Sequence, residues 1–276
     1  MAILLLFLPL LAQIALLNLL SKFLNGLFFR KFGRRLYLLL MWPGVVVHEM
    51  SHLIGCWLTR TRVLEVKFFS PRPSVDGGMT LGYVSHVKPR NPLASLIIGS
   101  APFFGGAAFL WLLLRLIFPE VIAGTSFHPA VPGGGGAAIV PFLAGVGRDY
   151  LDFLLALGAA LLQGGWRLLF ICALIPLSAH IAPSRPDLKH TVWGVLTAAA
   201  LAGLVILAGR YVSSALPGRV SAWLAGPLNA LNVLLSYGLA CTALSALIFG
   251  SLAAVLGTAG KWIERRRAAR TRLRQG

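Results

Sequence analysis

The feature that most constrains this chain is a series of long apolar runs separated by short basic or proline-rich segments. Hydrophobic residues make up 57% of the 276 residues, and charged residues make up only 12%. In a soluble domain about a quarter of the residues are charged. This chain therefore has too few polar residues to cover a folded domain in water. Six runs have the length and composition of membrane spans: 2–20, 36–58, 92–118, 166–182, 190–209 and 223–258.

These runs predict an α-helical polytopic membrane protein with about six transmembrane helices. No long polar stretch could fold separately in water, so residues 1–276 are expected to form a single membrane-embedded domain, with a basic tail over 261–276. Residues 137–163 are apolar but interrupted by Arg148, Asp149 and Asp152. They fit either an interfacial helix or a partial span.

The segment between the second and third runs has a different composition. Residues 63–69 and 79–87 are rich in β-branched and aromatic residues, with two prolines and an Asp-Gly-Gly sequence between them. This pattern is typical of two strands joined by a long turn. It predicts a small membrane-associated β-hairpin or sheet over about 63–87, lying at the membrane surface or inserted where protein covers its backbone.

The charge balance is strongly basic, with 25 Lys and Arg against 8 Asp and Glu. The basic residues lie between apolar runs and in the tail. This distribution indicates that they contact anionic lipid headgroups and not nucleic acid. Six spans would place both termini on one side of a cell membrane, together with 15 of the 25 basic residues. The positive-inside rule then predicts cytoplasmic termini, although the basic segment 22–35 falls on the opposite face in this arrangement.

The second run contains the pentapeptide His48-Glu49-Met50-Ser51-His52. Residues i and i+4 of a helix share a face, so the two imidazoles can reach one metal ion. Zinc lowers the pKa of a bound water molecule, and the adjacent glutamate can take its proton as a general base. Polar residues within a span usually mark a functional site; the alternative is a polar cluster that cross-links helices.

A catalytic zinc site needs a third protein ligand and an open position for water. Seven of the eight acidic residues are less suitable as the third ligand. Glu49 is the expected base, and the other six lie in predicted strands, turns, helix ends or the tail. Asp187 remains. It lies just after the fourth run, and the six-span arrangement places it on the same side of the membrane as the pentapeptide. It could instead pair with a neighbouring basic residue. His180 is then the main rival as third ligand, and His190 and His86 are weaker candidates.

Together these features resemble the site-2 protease class of intramembrane zinc metalloproteases, the M50 peptidase group. The resemblance covers about residues 36–190, the core of the domain, and the pentapeptide is its most specific part. It implies that His48 and His52 bind zinc, that Glu49 is the catalytic glutamate and that Asp187 is the aspartate ligand. Many members hold this aspartate in Asn-Pro-x-x-Asp-Gly or Leu-Asp-Gly. The sequence PSRPDL here has neither the Asn nor the Gly, which indicates a divergent branch.

The resemblance further implies a zinc-dependent intramembrane endopeptidase whose partners are transmembrane protein substrates and the lipid bilayer. An extended substrate could add to an edge of the 63–87 strands, or these strands could only cap the site. Two other functions are open. One is a non-catalytic relative that binds metal or membrane proteins. The other is a transporter whose polar residues line an ion path, although no internal repeat supports it.

Overall fold

The structure is a computed structural model, which describes residues 2–73, 79–127, 139–182, 185–212 and 216–275. Its helices are α1 (Ala2–Leu58), α2 (Pro92–Ile117), α3 (Pro119–Gly124), α4 (Ile139–Leu162), α5 (Leu169–His180), α6 (Arg185–Val212) and α7 (Leu216–Gln275), with a 3₁₀ turn at Gly165–Leu168. Its strands are β1 (Val63–Lys67), β2 (Arg72–Pro73), β3 (Met79–Thr80) and β4 (Tyr83–His86).

Four stretches of the described helices are long and apolar enough to cross a membrane. They are Pro9–Lys31, Gly33–Leu58, Pro92–Ile117 and Ala225–Thr258. The prediction of a helical membrane protein is therefore confirmed at this level, whereas the count of six spans is not confirmed. The runs predicted as the fourth and fifth spans form two shorter apolar helices, Gly165–His180 and Trp193–Gly209.

Helix α1 contains the first two of these stretches and reverses direction between them. Gly33 has φ 72° and ψ 170°, a conformation that glycine adopts at little cost. The Tyr37 hydroxyl donates a hydrogen bond to Asn25 Oδ1 over 2.9 Å, and the Tyr37 ring packs edge-on against Phe29. The second half of α1 therefore folds back along the first, and the basic residues near 30–35 lie at the turn.

Helices α5 and α6 follow one another along the second half of α1 in the same direction. Four residue pairs show this direction, each joining the second half of α1 to α5 or α6. Three are contacts, Gly44 with Pro176, His48 with His180 and His52 with Asp187, and in the fourth, Leu58 and Val195 line the same cavity. Helix α5 ends at His180 and α6 begins at Arg185, and proline is tolerated in the first turn of a helix, where Pro186 stands, but not in a helix interior. The fourth and fifth predicted spans are therefore two consecutive helices that run in the same direction. The end of α5 and the start of α6 lie beside the pentapeptide.

Helix α7 runs parallel to the first half of α1. The pairs that fix this register are Gln13 with Ser236, Phe23 with Gly250, and Lys31 with Gly257. The apolar part of α7 therefore ends beside the Gly33 turn, while the beginning of α1 lies at the other end of the bundle. The expectation that both termini share one side is not supported by this packing, because α5 and α6 do not reverse direction as two separate spans would.

The predicted β element is present as an interrupted antiparallel hairpin. Strand β1 pairs with β4 through Val66 and Val84, and β2 pairs with β3. Between these pairs, the Ser70 amide donates a hydrogen bond to the Leu81 carbonyl over 2.6 Å. Leu81 anchors the hairpin in a buried apolar cluster formed with Leu24, Phe28, Tyr37, Met41, Val45, Ile175 and Ala179. The Asp-Gly-Gly sequence of the predicted turn lies outside the described residues.

Helix α4 occupies most of the segment that fitted either an interfacial helix or a partial span. It is helical from Ile139 to Leu162, and it is absent from the four membrane-crossing stretches found in the described residues. Its Phe153 ring packs against Tyr237 of α7 with 5.4 Å between centroids, and Phe127 lies 4.8 Å from the same tyrosine. One face of α4 is therefore fixed to the helical bundle.

The approach of α5 to α1 depends on Gly44. A Cβ atom at this position would overlap the carbonyl group of Pro176, and small residues at such contacts let membrane helices pack closely. We expect Gly44→Val to lower the free energy of unfolding by about 2 kcal/mol or more, because main-chain atoms of α5 must move. The measurement is the apparent Tm of the detergent-solubilised protein.

The matched control is Gly158→Val in α4, where a Cβ would meet nothing within 4 Å. The control should melt with the parent protein. Equal melting temperatures for the two variants would contradict this account of the contact between α1 and α5.

Candidate metal centre

His48, His52 and Asp187 lie together at the junction of α5 and α6. The two histidines are one helical turn apart on α1, with 5.0 Å between ring centroids. Asp187 stands in the first turn of α6, where the helix N-terminus stabilises a carboxylate. Its Oδ2 atom is 3.8 Å from His48 Nε2 and 3.3 Å from His52 Nε2. Within the described residues, these are the only three His, Cys, Asp or Glu side chains whose ligand atoms all lie within 4.8 Å of one another.

Each imidazole is held by its other ring nitrogen. His48 Nδ1 donates a hydrogen bond to the His180 carbonyl over 2.7 Å, and His52 Nδ1 donates to the Ile98 carbonyl over 2.9 Å. A carbonyl oxygen only accepts, so both Nδ1 atoms carry the proton and both Nε2 atoms keep a lone pair. Metal-binding histidines in proteins are commonly fixed in this way. Both Nε2 atoms are therefore in the form that could bind a metal ion.

The donor set fits zinc. Zinc–nitrogen and zinc–oxygen bonds of about 2.0–2.2 Å in a tetrahedron place ligand atoms roughly 3.3–3.6 Å apart. The distances of 3.3 and 3.8 Å from Asp187 Oδ2 are close to this spacing. Two imidazoles and one carboxylate also leave a fourth position for water, as in catalytic zinc sites. Calcium and magnesium prefer ligand sets made of oxygen, so this mixed set disfavours them.

Glu49 lies beside the histidine pair and is covered by the hairpin. Its residue exposure is 7%. A Cβ atom at Gly82 would stand 2.9 Å from Glu49 Cγ and 2.8 Å from the Phe68 carbonyl oxygen. The hairpin backbone therefore rests directly on Glu49, and only glycine leaves enough room for this contact. The carboxylate is screened from bulk water but remains next to the candidate metal ligands.

A cavity of about 360 Å³ adjoins these residues, which is within the usual size range of ligand pockets. The helices line one side and the hairpin lines the other. The lining residues are Asn25, Tyr37, Val45, His48, Glu49, Met79, Thr80, Leu81, Gly82, Ala179, His180 and Ala182. His48 and Glu49 therefore face a space that can hold water and a short extended peptide segment.

The structure separates the candidates for the third ligand. His180 is outside the group formed with His48 and His52, and its Nδ1 donates a hydrogen bond to the Pro176 carbonyl over 3.0 Å. His86 lies on β4, with its Nδ1 hydrogen-bonded to the Val87 carbonyl. The side chain of His190 is outside the described part of the chain. Asp187 is the candidate that the fold brings to the histidine pair.

Two supporting features were not predicted from the sequence. The carbonyls of Ile98 and His180 that hold the imidazoles come from residues 46 and 132 positions away, and no local pattern marks a backbone acceptor. The contact at Gly82 could have been predicted, because a glycine within a strand segment often marks a close approach of another group.

In comparisons with known proteins, no family model, curated protein or solved structure matches this chain. The candidate site therefore rests on the residues of this chain alone.

Proposed function

We propose that this protein is a zinc-dependent endopeptidase of the cell membrane that cleaves membrane-protein substrates within or near the bilayer. The observation that supports it most is the convergence of His48, His52 and Asp187, with ligand atoms within 4.8 Å. Glu49 lies next to this group in the sequence and in space. The pentapeptide, the hairpin and the late aspartate resemble the site-2 protease class, and the proposed chemistry is the chemistry of that class.

In this proposal each polar residue has one role. The two imidazoles and the Asp187 carboxylate would hold zinc, which would lower the pKa of a bound water molecule and polarise the substrate carbonyl. Glu49 accepts a proton from the attacking water and delivers it to the leaving amine, as general acid–base catalysis requires. The hairpin over Glu49 limits the entry of bulk water, which strengthens the electrostatic interactions within the site.

The surroundings of the site favour a transmembrane substrate. The outer surface of the helices carries large exposed apolar side chains, including Trp57 (77% exposed) and Leu116 (68% exposed), and lipid is the solvent that such a surface requires. A substrate that reached the cavity from within the bilayer would itself have to be apolar. A transmembrane segment meets that requirement, provided that it unwinds locally to expose its peptide bonds.

The experiment is a cleavage assay with purified protein and a labelled transmembrane peptide in detergent. We expect a zinc chelator to stop cleavage, added zinc to restore it, and magnesium or calcium to leave it absent. Circular dichroism before and after chelation provides the control for folding. Cleavage that persists in the fully metal-free protein would refute the proposal.

The same preparation tests the two other functions. A zinc-loaded protein that binds the peptide but leaves it intact would favour a non-catalytic binding protein. Ion flux in liposomes that is indifferent to the chelator would favour a transporter.

A further inference from the structure

We infer that His180 is a substrate-binding residue, which accepts a hydrogen bond from a backbone N–H of the peptide segment in the cavity. The inference rests on the proposed endopeptidase function and assigns a role to the histidine that the metal group leaves out. His180 ends α5 and lines the same cavity as His48 and Glu49. It therefore faces the space in which a peptide bond would be cleaved.

The hydrogen bond to Pro176 fixes which ring nitrogen of His180 can accept. The Pro176 carbonyl lies 3.0 Å from His180 Nδ1, and a carbonyl requires a donor, so Nδ1 carries the proton in the neutral ring. The Nε2 atom then has a lone pair and acts as an acceptor. No residue of the described segments forms a hydrogen bond with His180 Nε2, so this acceptor is left for a ligand.

Three other polar side chains on the helical side of the cavity already form hydrogen bonds: Asn25, Tyr37 and His48. Asn25 Nδ2 donates to the carbonyls of Ser21 and Ala179, and Asn25 Oδ1 accepts from the Tyr37 hydroxyl. His48 uses Nδ1 for the His180 carbonyl and faces Asp187 with Nε2. Glu49 is assigned to the attacking water. Apart from Glu49 and His48 Nε2, His180 Nε2 is the side-chain acceptor atom of the described helical lining that takes part in no hydrogen bond.

An extended peptide in this cavity needs such an acceptor. Unwinding a transmembrane helix frees backbone N–H groups, and burying a free N–H without a partner is costly. At the end of α5 that lines the cavity, the carbonyls of Ala179 and His180 already accept hydrogen bonds from Asn25 Nδ2 and His48 Nδ1. A side-chain acceptor on this side can then serve the peptide. His180 can do so directly beside the proposed catalytic residues.

The experiment compares His180→Phe with His180→Gln in two assays on the full-length, zinc-loaded protein. The first measures KM and kcat for a fluorogenic transmembrane peptide. The second measures binding of the same peptide to the Glu49→Gln protein, where cleavage does not interfere. Phenylalanine removes the acceptor, whereas glutamine retains one. His86→Phe is the matched control, because this histidine lies outside the cavity lining.

We expect His180→Phe to raise both KM and the peptide Kd about five- to tenfold, the effect of one lost hydrogen bond. Glutamine should restore both values to within about twofold of the parent, a rescue that a purely structural role would not give. Zinc content should equal that of the parent, since the backbone carbonyl that holds His48 remains.

Unchanged binding and KM in His180→Phe would overturn the inference, as would loss of zinc from this variant, which would show that His180 supports the metal site instead of the peptide. If the parent protein fails to cleave, the proposed function fails, but the binding arm still decides the role of His180.

Discussion

Glu49→Gln is expected to reduce peptide cleavage by about 10³-fold, within the range that general acid–base catalysis contributes. Glutamine has nearly the size of glutamate, so the contact with Gly82 and the burial of the side chain should persist. An amide cannot take the proton from the attacking water. The measurement is kcat for a transmembrane peptide, made together with zinc content and thermal stability, both of which should match the parent protein.

Met50→Leu provides a matched control for Glu49→Gln, because Met50 is the next residue on α1, is exposed, and is absent from the cavity lining. It should retain the kcat of the parent. Equal cleavage by the Glu49→Gln and parent proteins would eliminate Glu49 as the base, even if the metal site were correct.

Asp187→Asn is expected to remove most of the bound zinc and, with it, the activity. The carboxylate supplies the negative charge of the proposed ligand set, and its Oδ2 atom lies within 4 Å of both Nε2 atoms. A neutral amide in its place is a poor zinc ligand, so two imidazoles alone would have to hold the ion. Elemental analysis after dialysis should give close to one zinc per parent chain and a small fraction of that for the variant.

Two further proteins make this measurement specific. Asp152→Asn changes an exposed carboxylate on α4 in the same way and should retain zinc. His180→Phe should also retain zinc, because the His180 side chain is outside the metal group. Retention of zinc by Asp187→Asn together with its loss from His180→Phe would reverse the assignment of the third ligand.

The metal-binding candidates could be predicted because their signals are local or compositional. Helical periodicity places His48 and His52 on one face, and the scarcity of acidic residues leaves Asp187 as the carboxylate. The anchoring of the imidazoles could not be predicted, since it uses main-chain carbonyls brought close only by helix packing. The same is true of the role of His180, which depends on where its ring lies relative to the cavity.

The arrangement of the helices was predictable only in part. The length of an apolar run indicates that a helix lies in the membrane, but it does not tell whether the following helix turns back or continues. The prolines at 183 and 186 marked an interruption, and the sequence was compatible with either direction after it. Continuation of α6 along α1 carries Asp187 to the histidine pair, and it also removes the reversal on which the predicted placement of the termini depended.

The most direct test of zinc-dependent proteolysis within the membrane is mass spectrometry of the products formed in proteoliposomes. Zinc-loaded protein would be reconstituted with a single-span substrate, and the masses of the fragments would give the position of the cut. Our account predicts two fragments that meet within or next to the hydrophobic segment, and none with the Glu49→Gln protein. Intact substrate, or fragments that form equally with the Glu49→Gln protein, would contradict it.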